Sequence, residues 1–268
     1  MNRLSFATFA ALLAACSAPP SPEPATSRVA AVPGTIVDLT HAYDADTIYW
    51  PTEAGFQLEE VAHGITEKGY FYAANRFCAA EHGGTHLDAP IHFFEGGHAA
   101  DEIPIEQLIG LGVVVDVSEA CANDRDYRVQ VGDLRAWEKE HGRLPEGAMV
   151  LLRTAWDERW ADREAYLGTA LTGSEAVAEL HFPGLHSDAA RWITRERTIK
   201  AIGLDTPSID YGQSELFESH VILFEAGVPA FENVAGLGQL PAKDFVVAAL
   251  PMKIRGGTGG PLRIVAWW

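Results

Sequence analysis

Short apolar runs along the chain alternate with polar segments carrying glycine or proline, and nothing repeats at a fixed period. Gly112 to Val117, by its run of valines, and Ala148 to Arg153 predict buried strands. Ile36 to Leu39, Ile199 to Leu204, Phe245 to Met252 and Leu262 to Trp267 predict further strands. Phe71 to Phe77 alternates loosely and predicts a strand feeding the histidine-rich segment that follows it. Helical signals are fewer. Ile103 to Leu111, after Pro104, predicts a short helix, and Asp133 is placed to cap one from Leu134 to His141 that Gly142 ends. Ser187 is placed to cap Asp188 to Arg197, and Ser214 a helix through Ala226 with Gly227 at its end. Trp156 to Phe182 mixes aromatic and charged positions without a clear period. Strands outnumber helices in a mixed order, so the fold class is α/β with a strand-rich core.

The first residues do not follow this pattern. Arg3 precedes a short apolar run, Leu4 to Leu13, and Leu13-Ala14-Ala15-Cys16 ends on a cysteine after small residues. That reads as a signal peptide over 1–15 with Cys16 as a lipidation site; an ordinary secretory signal with an incidental cysteine is the alternative. Pro, Ser and Ala dominate residues 17 to 34, which have little to bury and read with Cys16 as a tether over 16–34. The domain proper is then 35–268, large enough for a substantial core. A lipid on Cys16, followed by Ser17, implies a chain anchored in the envelope of a Gram-negative bacterium, at the periplasmic face of the outer membrane, with no spanning segment.

A net charge of −17 argues against nucleic acid or an anionic membrane surface as partner, because both call for a basic patch. Beyond Cys16 only Cys78 and Cys121 remain, either a pair in an oxidising compartment or two free thiols.

The densest chemistry lies at His82-Gly83-Gly84-Thr85-His86-Leu87-Asp88-Ala89-Pro90-Ile91-His92. Imidazoles and a carboxylate this close together suit a divalent transition metal, zinc first, with manganese or iron as alternatives. Gly83 and Gly84 disfavour a helix, and on an extended segment His86 and Asp88 leave from one face. His82, His86 and Asp88 are candidate ligands; His92, beyond Pro90, is either a further ligand or a general base. A divalent ion there would supply water that loses a proton near neutral pH.

Four other places carry candidate chemistry. His220 lies on the predicted helix before Gly227, and Glu232-Asn233 is an acid–amide pair in an apolar segment, where Glu232 would be costly to bury without a cation. Trp50, held extended by Pro51, is a pocket wall or a core aromatic. Asp205 and Asp210 sit in a polar turn after a strand and are read as structural. Gly256-Gly257-Thr258-Gly259-Gly260 lacks the lysine and helix of a phosphate loop and is read as a flexible hairpin connection.

The 82–92 segment resembles the motif His-x-Gly-Thr-His-x-Asp-x-Pro-x-His of the metal-dependent cyclase family, which includes bacterial kynurenine formamidases and isatin hydrolases. The resemblance runs from about Ile36 to the C-terminus. It implies the swivelling β/β/α fold, a homodimer or higher homo-oligomer, and a metal-dependent hydrolase of an amide bond. It assigns His82, His86, Asp88, His220 and Glu232 to one or two zinc ions, with manganese as the alternative, His92 to acid/base duty, and Trp50 to substrate contact. Isatin hydrolases place a glutamine at the glutamate position, so Glu232 leans towards the formamidase arrangement. The implied substrate is a small aromatic amide, an arylformamide as in tryptophan breakdown; an isatin-like lactam, or a non-catalytic metal- or small-molecule-binding lipoprotein, is the alternative. The segment from Trp156 to His186 is longer than in compact formamidases and is expected to contribute pocket-lining residues.

Overall fold

The apolar runs become the staves of a closed barrel. The computed structural model describes residues 34–268; the expected signal peptide, the expected lipidation site Cys16 and the expected tether as far as Pro33 lie outside them. Twelve strands follow in chain order: β1 (Ile36–Asp38), β2 (Gln57–Ile65), β3 (Phe71–Cys78), β4 (His86–Asp88), β5 (Ile109–Asp116), β6 (Arg128–Val129), β7 (Ala148–Arg153), β8 (Gly184–Leu185), β9 (Ile199–Leu204), β10 (Ala230–Glu232), β11 (Phe245–Pro251) and β12 (Gly259–Trp267). The helices are α1 (Ser118–Asn123), α2 (Val131–His141), α3 (Arg163–Leu167), α4 (Ser174–Val177), α5 (Ser187–Glu196) and α6 (Glu218–Glu225).

The main sheet has the order β1-β12-β11-β5-β7-β9-β10-β4, and β4 also pairs with the start of β12, so seven strands close into a ring with β1 added beside the end of β12. The strands β5, β7, β9 and β10 run parallel and the others antiparallel, the mixed α/β, strand-rich architecture expected. Alternation along each stave divides the core in two. Val114, Met149, Leu151, Phe231, Val247 and Ile264 fill the interior of the ring. Val113, Val150, Leu152 and Leu204 point outward and are covered by α2, α5 and α6 through Leu134, Trp137, Ile193, Leu223 and Phe224. Burying each such side chain contributes on the order of 2 kcal/mol. Burial on both faces is why the stretches Val113 to Val115, Ala148 to Leu152 and Ala201 to Leu204 carry almost only apolar residues.

Several local expectations are corrected. Ile103 to Leu111 is not a helix: a single 3-10 turn, Ile105–Gln107, passes directly into β5, whose pairing with β11 starts at Ile109. The α2 cap is Gln130, with Asp133 at the third helical position accepting from the Gln130 N–H through its carboxylate, a capping box. His186 rather than Ser187 caps α5, accepting from the Asp188 N–H. Ser214 accepts from Phe217 N, but helix α6 itself begins at Glu218. The strand at Phe71 is present, but it pairs with β2, which the sequence pattern did not predict, in a two-stranded hairpin outside the ring. Cys78 and Cys121 are free thiols, one exposed and one buried. Among the described residues no helix is long and apolar enough to cross a membrane.

Candidate metal centre

The strand that closes the ring carries the centre. Residue β4 Leu87 points into the barrel core, so its neighbours His86 and Asp88 project from the outer face. On the next strand the same alternation buries Phe231 inside and turns Glu232 outward, directly opposite His86 in the register. Helix α6 packs over this face and lowers His220 onto it. His82 approaches from the segment just before β4. Two triads result, His82–His86–Asp88 and Asp88–His220–Glu232, and within each the ligand atoms lie within 4.8 Å of one another. The five predicted ligand positions are thereby brought together, and Asp88 belongs to both triads.

Each imidazole is held by its far nitrogen. His86 Nδ1 lies 3.0 Å from the Gly84 carbonyl, and His220 Nδ1 lies 2.6 Å from Asp210 Oδ2. Thr258 Oγ1 donates to Glu81 Oε2 at 2.7 Å, so across 2.8 Å it accepts from His82 Nε2–H. His86 Nε2, His220 Nε2 and His82 Nδ1 are then left facing the carboxylates, His86 Nε2 at 3.1 Å from Asp88 and 3.4 Å from Glu232. His220 Nε2 stands 3.1 Å from Glu232 and 3.3 Å from Asp88, and His82 Nδ1 stands 2.7 Å from Asp88. His86 Nε2 is buried without a hydrogen-bond partner. A buried ring nitrogen aimed between two carboxylates without a hydrogen-bond partner is where a cation would sit, so the residues fit a divalent metal.

The electrostatics agree. Burial disfavours charge on all four innermost groups, yet Asp88 is held well below the usual carboxylate range by the imidazoles of His82, His86 and His220. Burial likewise opposes the charged form of His86, but Asp88, Glu232 and the Gly84 carbonyl outweigh it and raise the ring to about 9. His220 is raised well above its usual value against burial, through Asp210, Asp88 and Glu232. Glu232 is pushed up by burial and by Asp88. The site draws protons onto its imidazoles to balance two buried carboxylates, and a divalent cation would take over that balance.

His92 belongs to neither triad. It sits in the 3-10 turn Pro90–His92 with its ring stacked on His82, centroids 3.8 Å apart at 16°. Its pKa is lowered to about 4, chiefly by burial. Trp50 lines the mouth of the same cavity, about 360 Å³ in volume, where Tyr49, Phe93 and Phe217 form the rest of an aromatic wall above the ligands. Phe217 holds a left-handed backbone (φ 48°) at the start of α6 and packs 6.5 Å from Trp50 and 5.3 Å from Phe93.

Other residues were read differently from the sequence. Asp205 is structural as read, accepting from Thr154 N and Oγ1. Asp210 is not merely a turn residue, since it orients His220 and accepts from the first N–H groups of α6. The glycine run is not a flexible connection. Thr258 reaches His82, Gly259 pairs with Asp88 in β12, and a Cβ on Gly259 would stand 2.6 Å from the His82 ring. Gly84 is required by a φ of +59° with the Tyr43 ring 2.5 Å from where a Cβ would be. None of the residues from Trp156 to His186 lines the cavity, contrary to expectation; Phe182, in a satellite cluster with Trp156 and Tyr166, packs edge-on behind Trp50. Phe93, Phe217, Glu81 and Thr258 went unnoticed because single aromatics, an acid and a threonine carry no spacing signal.

Comparison with known proteins follows the same lines. Residues 37–211 match the family model described as "Putative cyclase". The chain is 34% identical over 215 residues to an isatin hydrolase of Roseibium aggregatum, covering 76% of this chain and 79% of that one. It is 27% identical over 229 residues to a kynurenine formamidase of Bacillus cereus, covering 85% and 95%. Among solved structures, isatin hydrolase A from Labrenzia aggregata bound to benzyl benzoate superposes with a TM-score of 0.78 at 36% identity, over 87% of this chain and 93% of that one.

Proposed function

The chain belongs to the cyclase family, and from that premise we propose that it is a metal-dependent hydrolase of the amide bond of a small aromatic substrate. The observation that carries the reading is the buried, unpartnered His86 Nε2 among Asp88, Glu232, His82 and His220 at the floor of an aromatic-walled cavity. A divalent metal, zinc or manganese, bound there would polarise a carbonyl and lower the pKa of a water. Two ions are proposed, because Asp88 serves both triads.

The chain's own residues do the rest. His82, His86, Asp88, His220 and Glu232 would hold the metal, and Thr258, Gly84 and Asp210 keep the imidazole rings turned towards it. His92, beside the ligands without being among them, takes and returns the proton that must reach the leaving nitrogen. Trp50, Phe93 and Phe217 offer flat faces to an aromatic ring and keep bulk water from it.

An arylformamide is the first substrate reading, supported by Glu232 at the position where isatin hydrolases place glutamine. An isatin-like lactam is the second, supported by the similarity to isatin hydrolases in sequence and structure. The envelope location, with Cys16 lipidated, is part of the same proposal and rests on the sequence of residues 1–34. The deciding experiment uses the soluble domain from near Ala30, loaded with zinc or manganese, and follows hydrolysis of N-formylkynurenine and of isatin with and without a chelator. Chelator-sensitive turnover of the first supports the formamidase reading, and of isatin alone the lactam reading. A folded, metal-loaded protein inert towards both would overturn the hydrolase reading in favour of a binding lipoprotein.

A further inference from the structure

Asn233 follows Glu232 at the end of β10, lines the cavity and is almost fully buried. The β4–β10 ladder ends at the Glu232–His86 pair, and Asn233 carries the connection further through other bonds. Its carbonyl accepts from Thr85 Oγ1 at 2.7 Å, and its side-chain Nδ2 donates to the Gly84 carbonyl at 2.7 Å. That carbonyl is the one that holds His86 Nδ1, at 3.0 Å. A single acceptor with two lone pairs thus serves both the imidazole and the amide.

A second bond fixes the amide. Tyr166, fully buried in α3, donates its hydroxyl proton to Asn233 Oδ1 at 2.8 Å and stands 3.0 Å from the Asp205 carbonyl. Gly84 O can only accept, so the amide nitrogen must face it, and Oδ1 is left to receive the Tyr166 proton. Burial, with Asp205, Asp157 and Glu232 nearby, holds the phenol well above its ordinary pKa, so that proton is retained at neutral pH. The backbone is as specialised. Asn233 adopts a φ of +53°, a left-handed conformation that asparagine enters more readily than most residues. Gly84 is left-handed too, and its N–H donates to the Ile48 carbonyl at 2.9 Å. Ile48 packs in the same satellite cluster as Tyr166. The cluster behind Trp50 therefore grips Gly84 twice, once through Ile48 and once through Tyr166 and Asn233.

We propose, on the metal-dependent reading above, that Tyr166 and Asn233 are positioning residues for the centre: Tyr166 locks the Asn233 amide, and Asn233 holds the Gly84 carbonyl where it orients His86. The segment from Trp156 to His186 thereby acts on the centre from behind, without lining the cavity. Were these bonds purely structural, their loss would lower stability alone. A histidine ligand whose far nitrogen loses its fixed acceptor is also less well aimed and less basic, so metal binding weakens as well.

The test titrates the metal-free full chain with cobalt(II), reading the visible bands for ligand geometry and competition with a chromophoric chelator for affinity. Tyr166→Phe removes one oxygen, and Asn233→Gly removes the amide while tolerating the left-handed backbone. Cobalt affinity should weaken about 10-fold in Tyr166→Phe and about 10- to 100-fold in Asn233→Gly, with the bands shifted in both. The double variant should bind no more weakly than Asn233→Gly alone, because Tyr166 acts through Asn233. Unchanged far-UV circular dichroism identifies the variants as folded. Should Asn233→Gly fail to fold, Tyr166→Phe decides by its bands and affinity. Variants that melt earlier yet bind cobalt as the unaltered chain does would overturn the proposal and leave the bonds structural. Effects that multiply in the double variant would overturn it too, by making Tyr166 independent of Asn233. An unaltered chain that takes up no cobalt, zinc or manganese would instead overturn the metal-dependent reading, and this inference with it.

Discussion

Glu232 stands directly opposite His86 where β10 and β4 pair, 3.4 Å between Oε2 and Nε2. Backbone register, rather than side-chain reach, delivers the most distant carboxylate to the centre. Glu232 also accepts from the Ile209 N–H at 2.7 Å, a bond that an amide oxygen could still accept. Glu232→Gln should therefore fold normally while its metal content drops towards one ion per chain, measured by elemental analysis after dialysis. Two tightly retained ions in the variant would contradict a shared centre built on Glu232.

His92 stacks on His82 but turns no nitrogen into either triad. His92→Ala is expected to retain its metal and to lose turnover by about 10²- to 10⁴-fold, the usual contribution of a positioned proton-transfer group. Metal content and kcat measured on one preparation separate the two effects. Normal turnover would remove His92 from acid/base duty, whereas lost metal would make it a ligand.

Thr258 fixes the tautomer of His82, since its one hydroxyl proton is committed to Glu81. Thr258→Val keeps the shape and deletes the acceptor. Metal affinity, measured by competition with a chromophoric chelator, should weaken by about 10- to 100-fold, the typical cost of losing an outer hydrogen-bond partner. An unchanged affinity would reduce Thr258 to a packing residue.

Asp205 supplies a pH dependence away from the metal. Burial pushes its carboxyl up to about 7, with Asp157 adding to the shift against the Thr154 donors. In the folded chain it thus keeps a proton that the unfolded chain sheds near 3.8. The stability it contributes is fully present below that value and is lost as pH rises through about 7, with a slope of up to about 1.4 kcal/mol per pH unit. Asp205→Asn cannot titrate, so urea midpoints of the unaltered chain should fall relative to those of the variant across this window. Parallel curves would show that Asp205 is ionised throughout.

Much of this was legible in the sequence. Strands β5, β7 and β9 announced themselves because both their faces are buried. The 82–92 motif was legible through sheer density of ligand types. The three-residue strands β4 and β10 were not, because their outward positions carry the polar ligands and only Leu87 and Phe231 mark the inner face. Hairpin β2–β3 escaped prediction on one side because apolar residues on it follow no buried face of this chain. Asp210 and Thr258 were passed over because aspartate, threonine and glycine are ordinary in turns, and only tertiary contact separates an orienting group from a turn former.

Leu87 gives β4 a second significance. It is fully buried in the ring's interior while its two neighbours face the opposite way. Inserting or deleting one residue between His82 and Leu87 without a compensating change would exchange the roles of the two faces, driving His86 and Asp88 into hydrocarbon and turning a leucine towards the candidate metal centre. The apolar side chain thus acts as an indexing pin. A change in length here would cost the protein its barrel and its candidate metal centre together, whereas a substitution leaves the two faces in place.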